Sequence, residues 1–179
     1  VNEFILGVDL DGVCGQHTEI FREIVARELN IAEESLPLER SWDFREWGFG
    51  PDDFERLHRI AVMEHRMFRD MEVVPGCAET LWRLSDAGIW IRIVTHRLYV
   101  NWGHATAIAD TVAWLDRVQI PYRDICFMGD KPEVGADLYI DDLILLVLSE
   151  GAFLPERLTA RLRQADDCYE ELGLVSKTT

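Results

Sequence analysis

The chain has 179 residues, 48% of them hydrophobic and 28% charged, a balance of ordinary globular proteins that excludes disordered, collagen-like and membrane-spanning classes. Lys and Arg number 18 against 33 Asp and Glu, giving a formal charge of −15 and a pI near 4.6. A field of that sign repels polyphosphate and disfavours nucleic-acid polymers and anionic membranes as partners, yet it is compatible with a small anionic substrate held by a local cation.

Phe4 to Val8 is a short apolar run that predicts a buried strand, ending in the turn Asp9-Leu10-Asp11-Gly12. Ile20, Phe21, Ile24, Val25 and Leu29 then recur at helical spacing over residues 17–29. After a looser stretch through Pro37, a second helical pattern starts near Pro51 and carries Phe54, Leu57, Ile60, Ala61 and Met67. Pro75-Gly76 breaks the chain, and Ala78 to Ala87 reads as a helix stopped by Gly88. From there the rhythm is strand at 89–94, interrupted only by Arg92, helix at 105–118, strand at 124–128 and strand at 138–140, ending in Asp141-Asp142. Such alternation predicts an α/β fold with a mostly parallel sheet and helices on both faces. The helices between residues 15 and 75 interrupt the alternation and read as a small helical cap inserted after the first strand. That division assigns residues 1–14 and 76–179 to the core and 15–75 to the cap. In the tail, Leu143 to Leu148 fits either a strand or a buried helix, and Pro155 to Gln164 reads as a helix.

Cys14, Cys77, Cys126 and Cys168 form no C-x-x-C pair, so neither a disulfide framework nor zinc is expected and they read as small buried hydrophobes. No charged segment followed by an apolar one opens the sequence, and the run Leu143 to Leu148 is too short to span a bilayer. The expectation is a soluble cytoplasmic protein.

In a parallel sheet, function gathers where strands end and loops leave the scaffold. Here the strand ends carry Asp9 and Asp11, then Thr95-His96-Arg97, then Asp141-Asp142, with Lys131 in the loop before the last strand. Lysine is otherwise confined to Lys177. This set suits phosphoryl transfer. Asp9 can attack phosphorus to form an aspartyl-phosphate, and Asp11 can protonate the leaving oxygen and later deprotonate water. Gly12 lets backbone amides approach the phosphoryl oxygens, and Thr95 adds a hydroxyl donor. Asp9, Asp11, Asp141 and Asp142 crowd negative charge around an anionic ester, each like-charge pair at ~4 Å costing roughly 4 kcal/mol at an effective dielectric of about 20. Magnesium held by these four carboxylates offsets that charge, with Lys131 as a further point charge on the nucleophile and phosphoryl group.

The series Val8-Asp9-Leu10-Asp11-Gly12-Val13, Thr95, Lys131 and Asp141-Asp142 resembles the four-motif signature of haloacid dehalogenase-like phosphohydrolases. Within that superfamily the chain is most similar to the 5'(3')-deoxyribonucleotidases of cytosolic type C. The closer likeness rests on Asp9 to Val13, Pro75-Gly76 before a helix, Asp130-Lys131 and the run Ala136 to Asp142. The resemblance implies a doubly wound, Rossmann-like core, magnesium, an aspartyl-phosphate intermediate and a small phosphorylated substrate, above all a nucleoside monophosphate. The chain departs from that pattern at Gln16-His17, where an Asp-Phe pair with the Phe near the base is typical, and at Thr95-His96-Arg97, where Thr-Ser is typical.

Substrate choice is expected in the cap. Trp42, Phe44, Trp47 and Phe49 place four rings in eight residues, suited either to a flat nucleobase or to the core of the cap itself. The candidate substrate contacts are thus Gly12, His17, Trp42, Phe44, Trp47, His96 and Arg97. Two other readings stand beside the nucleotidase: a phosphatase or phosphomutase of another small ester such as a sugar phosphate, and a phosphate-binding regulatory module without turnover. Intact Asp9 and Asp11 argue against the last. The sequence leaves open the base, the sugar, the phosphate position, a homo-oligomeric state, and which of Asp141 and Asp142 meets the metal.

Overall fold

The computed structural model describes residues 4–41, 44–50, 52–98, 102–128 and 134–141. Their elements run β1 (Ile5–Val8), α1 (His17–Leu29), α2 (Asp53–Met63), α3 (Met67–Asp70), α4 (Cys77–Asp86), β2 (Trp90–Thr95), α5 (His104–Val118), β3 (Asp124–Phe127) and β4 (Leu138–Ile140). Short 3-10 turns occupy Glu33–Ser35 and Arg45–Trp47. The α/β expectation holds: the strands form one sheet in the order β3-β2-β1-β4, and every pairing is parallel.

The strand sequences explain that sheet. Leu6, Gly7 and Val8 of β1 are buried, as are Ile91, Ile93, Val94 and Thr95 of β2, the near-continuous apolar pattern of strands covered on both faces. Arg92 breaks the run because it is paired in register with Asp124 of β3. Its guanidinium donates to both oxygens of that carboxylate at 2.7 and 2.6 Å and holds the Asp124 carboxyl below the usual range.

Gly7 lies in register with Tyr139 of β4. A Cβ built on Gly7 would come 2.5 Å from Tyr139 Cδ1, so the tyrosine ring occupies the space that any side chain here would need. Gly7→Ala should therefore displace β4 and cost about 1–3 kcal/mol, as overpacking does. Chemical denaturation would read that loss, and the double variant Gly7→Ala, Tyr139→Ala should recover most of it.

The chain leaves β1, reaches β2 and β3 on one side, and returns to β4 on the other side of β1. The strand order thus reverses between β1 and β4. In open α/β sheets the crevice outside the carboxyl ends at such a point is where ligands bind.

The chain divides into two compact units, one of Val1–Gly15, Val73–Val100 and Val118–Thr179, the other of Gln16–Glu72 and Asn101–Arg117. Among the described residues the first unit contains the sheet and α4. The second is built around Phe21, which is fully buried. Trp47 stacks on its ring at 5.6 Å between centroids, and Phe44, Phe54 and His58 meet it edge-on at 5.2, 6.0 and 5.8 Å.

Within the second unit, one helical pattern read from the sequence is broken. The helical pattern read from Pro51 through Met67 is divided, because α2 ends at Met63 and Arg66 turns left-handed with φ 53° before α3. The turn is tied by a long-range partner: Arg66 Nε donates to Oδ2 of the buried Asp110 on α5 at 2.7 Å. The indole of Trp114 and the guanidinium of Arg117 donate to the Met71 carbonyl at 2.8 and 3.0 Å, which fastens α5 to the end of α3. A pattern of apolar residues continues through the break, since Met67 and Phe68 are buried as well.

Candidate active site

Asp9 is the first residue beyond β1, and its N–H donates to the Ile140 carbonyl of β4 at 3.0 Å. That bond extends the parallel ladder by one residue. It brings Asp9 and Asp141, each following a strand, to the point where the strand order reverses. The chain then turns tightly. Leu10 is fully buried and its carbonyl accepts from Cys14 N–H at 2.9 Å and Gly15 N–H at 2.8 Å. Gly12 N–H donates to Gly15 O at 3.0 Å, and Asp11 bridges Gly15. Gly12 adopts φ 84°, a conformation that carries a steric cost for residues with a Cβ. It is also exposed, so the turn presents backbone rather than side chain at this position.

β2 lies beside β1, with Val8 in register with Ile93. Thr95 ends the strand completely buried, and its Oγ1 has no hydrogen-bond partner among the described residues. A buried hydroxyl left unpaired costs about 1–3 kcal/mol, a cost that an incoming acceptor would relieve.

Two residues further on, Arg97 has a fully buried side chain and donates to Asp11: Nη2 to Oδ1 at 2.6 Å, and Nε to Oδ1 and Oδ2 at 3.2 Å each. Arg97 is therefore directly bound to the second carboxylate of the motif. Its guanidinium sits on Asp11 as an external cation would. A buried, forked cation is suited to planar carboxylate or phosphoryl oxygens.

The donors at this edge, Asp9, Asp11 and Asp141, are hard carboxylate oxygens. Among the described residues no three acidic, His or Cys side chains converge as a ready-made metal site. Magnesium does not require such a cage, because it takes one or two carboxylates and completes its octahedron with water and phosphate oxygens. The donor chemistry fits a hard divalent cation.

Of the other residues singled out from the sequence, Gly12 and His96 also belong to the first unit, whereas His17, Phe44 and Trp47 belong to the second. His17 begins α1 and is buried, with its ring 6.0 Å from Phe21 and 6.1 Å from His58. Phe44 lies under the Arg40 guanidinium at 4.1 Å, and Trp47 donates its indole N–H to the Pro37 carbonyl at 2.8 Å. These contacts account for the burial of both rings. Trp42, Lys131 and Asp142 lie outside the described residues, as does the tail beyond Asp141.

The sequence reading did not single out Cys14. Its thiol donates to the Asp9 carbonyl at 3.2 Å, directly behind the residue expected to be the nucleophile. The neighbouring Cys77 and burial push the Cys14 thiol well above its usual range. Spacing could not have revealed the pair, because only the fold brings the start of α4 against this turn.

Residues 3–145 match the family described as 5' nucleotidase, deoxy (pyrimidine), cytosolic type C protein. The chain belongs to this family. It is accordingly a phosphoric monoester hydrolase of the nucleotidase type. The chain is 46% identical to "Putative 5'(3')-deoxyribonucleotidase" of Chlorobaculum tepidum over 142 residues, which are 79% of this chain and 70% of that protein. More distant similarity joins this nucleotidase to a hydrolase from Streptococcus pneumoniae, with a TM-score of 0.43 and 14% identity over 99% of this chain and 95% of that one. A HAD family hydrolase from Deinococcus radiodurans, crystallised with phosphate and sodium, gives a TM-score of 0.39 and 15% identity over 96% and 68% of the two chains.

Among the described residues no helix is long and apolar enough to cross a membrane.

Proposed function

We propose that this nucleotidase hydrolyses (deoxy)nucleoside 5'-monophosphates in two steps through a phosphoryl group carried on Asp9, with magnesium as its cofactor. The observation that carries the reading is the buried Thr95 hydroxyl at the end of β2, without a hydrogen-bond partner among the described residues, beside the strand that delivers Asp9 and Asp11. A phosphoryl oxygen supplies the acceptor that this hydroxyl lacks.

In the first step an Asp9 oxygen forms a bond to phosphorus and the ester P–O bond breaks, with Asp11 giving a proton to the departing alkoxide. In the second, Asp11 takes a proton from water, whose oxygen displaces Asp9 from phosphorus and releases inorganic phosphate. Thr95 would hold a phosphoryl oxygen, a donor that acts most strongly in a site shielded from water, whereas the Gly12 amide already donates to Gly15 O within the turn. Arg97 holds Asp11 in place and adds positive charge at the same edge. Lys131 takes the role of a compact point charge on the transferring group. One or two carboxylates from the set Asp9, Asp11, Asp141 and Asp142 would hold the magnesium ion, which supplies charge neutralisation when bound.

His17 and Trp42 are the proposed specificity residues of the second unit and His96 that of the first. The ring contacts of Phe44 and Trp47 support a role in the core of the second unit. The cytosolic type of the family supports a cytoplasmic setting.

The test is phosphate release by the full chain from nucleoside 5'- and 3'-monophosphates, sugar phosphates and an aryl phosphate. Nucleotide hydrolysis should fall to background after chelation, return with magnesium, and be inhibited by calcium, whose longer and more numerous bonds disturb in-line attack. Turnover that survives chelation, or a preference for sugar phosphates over every nucleotide, would overturn the proposal.

A further inference from the structure

A single guanidinium joins the neighbours of the two residues to which specificity is assigned in the second unit. Arg40 stands two positions before Trp42, and Thr18 one position after His17. Arg40 Nε and Nη2 donate to Thr18 Oγ1 at 3.2 and 2.9 Å, and Nη1 donates to the Ser41 carbonyl at 3.4 Å. The same guanidinium lies over the Phe44 ring, 4.1 Å from its centroid. Both Arg40 and Thr18 are half-buried.

The segment that Arg40 opens holds a strained residue. Phe44 has φ 54°, a conformation that residues with a Cβ adopt only at a cost. Such backbone persists where its surroundings over-determine it, and it clusters at ligand clamps. Two of the ties are internal: the Trp47 indole donates to the Pro37 carbonyl at 2.8 Å, and Ser41 donates from N and Oγ to Glu46 Oε2 at 2.8 and 2.7 Å. The Arg40–Thr18 bond is of another kind, because it fastens the segment to the first turn of α1, the helix that His17 begins. Phe44 and Trp47 also pack on Phe21 of α1, but apolar attraction is non-directional. A charge-assisted fork adds the geometric specificity that ring packing lacks.

We propose that Arg40 is a positioning residue for nucleotide selection, acting through Thr18 and Phe44. It fixes Ser41 and Phe44, between which Trp42 lies in sequence, relative to His17. The proposal rests on the reading in which Trp42 and His17 select the substrate. Groups ordered before the ligand arrives spare it that part of the cost of binding. Loss of Arg40 therefore weakens nucleotide binding, while Asp9, Asp11 and Thr95 of the first unit keep their chemistry. An interaction that supports binding alone appears in KM and not in kcat. Lysine cannot replace Arg40, since it lacks the planar fork that serves the Thr18 hydroxyl and the Phe44 face together.

Steady-state kinetics of the full chain test this, with a nucleoside 5'-monophosphate and with an aryl phosphate, which carries neither base nor sugar. Arg40→Ala, Arg40→Lys and Thr18→Val should each raise the nucleotide KM on the order of tenfold, the scale of one lost charge-assisted hydrogen bond, with kcat nearly unchanged. Both constants for the aryl phosphate should stay at their natural values. Thr18→Ser keeps the accepting hydroxyl and should keep the natural nucleotide KM. The double variant Arg40→Ala, Thr18→Val should be no worse than either single change, as expected of two partners in one interaction. Thr18→Val preserves the shape of the side chain, so it carries the test even where Arg40→Ala lowers the thermal midpoint. An unchanged nucleotide KM in Thr18→Val, an equal loss on the aryl phosphate, or a raised KM in Thr18→Ser would each overturn the proposal. Failure of the proposed function would be seen separately, as absence of nucleotide turnover in the natural chain.

Discussion

Asp9→Asn is expected to lower nucleotide hydrolysis by roughly 10⁴- to 10⁶-fold, the scale on which removal of members of a covalent catalytic set acts. At 1.36 kcal/mol per tenfold, that is about 5–8 kcal/mol of lost transition-state stabilisation. The amide is nearly isosteric with the carboxylate but is a poor nucleophile. The fold should survive, because the bonds that place the residue use its backbone: Asp9 N–H on Ile140 O and Cys14 Sγ–H on Asp9 O. The thermal midpoint should therefore change little while turnover disappears. Acid-quenched natural enzyme should retain phosphoryl label on Asp9, and the variant should retain none. A variant hydrolysing nucleotides at the natural rate would rule out Asp9 as the nucleophile. Asp11→Asn should also be slow, with a larger loss for alkyl esters, whose leaving oxygen needs a proton, than for activated aryl esters.

Phe21→Ala should produce the largest loss of stability. Truncation of a buried Phe typically costs about 3–5 kcal/mol, through lost burial and the cavity left behind. Phe21 belongs at the upper part of that range, since its ring meets those of Phe44, Trp47, Phe49, Phe54, His17 and His58. With a shift of about 2–4 °C per kcal/mol for a chain of this size, the midpoint of the second unit should fall by roughly 6–20 °C. Calorimetry would read that shift, and the fluorescence of Trp47, stacked on Phe21, would report unpacking at the same temperature. Nucleotide and aryl phosphate rates should decline together as the unit unfolds. A variant of unchanged stability with a selective loss on nucleotides would instead make Phe21 a contact to the base.

Much of the scaffold is legible in the order of residues. The apolar run before Asp9, the β-branched run before Thr95 and the short strand before Asp141 each announce a buried strand, because sheets covered on both faces leave a continuous rather than alternating apolar signal. Strand polarity then carries Asp9, Asp11, Thr95 and Asp141 to one edge, since parallel strands joined by crossovers end on the same side. For the same reason the α/β class and the phosphohydrolase chemistry could be argued from spacing and residue type.

What the tertiary structure decided is the choice of partner for each side chain. Arg97 finds Asp11 across a separation of 86 residues, and Arg66 finds Asp110 across 44 and turns left-handed to meet it. Phe44 and Trp47 gather around Phe21, where composition allowed either a ligand surface or a core. Local periodicity records which face of an element avoids water, a property of each segment by itself. Which charge meets which, or which ring packs on which, depends on strand register and on the exact course of turns such as Asp9 to Gly15. Those are properties of the whole chain, settled only when distant segments compete for the same buried space.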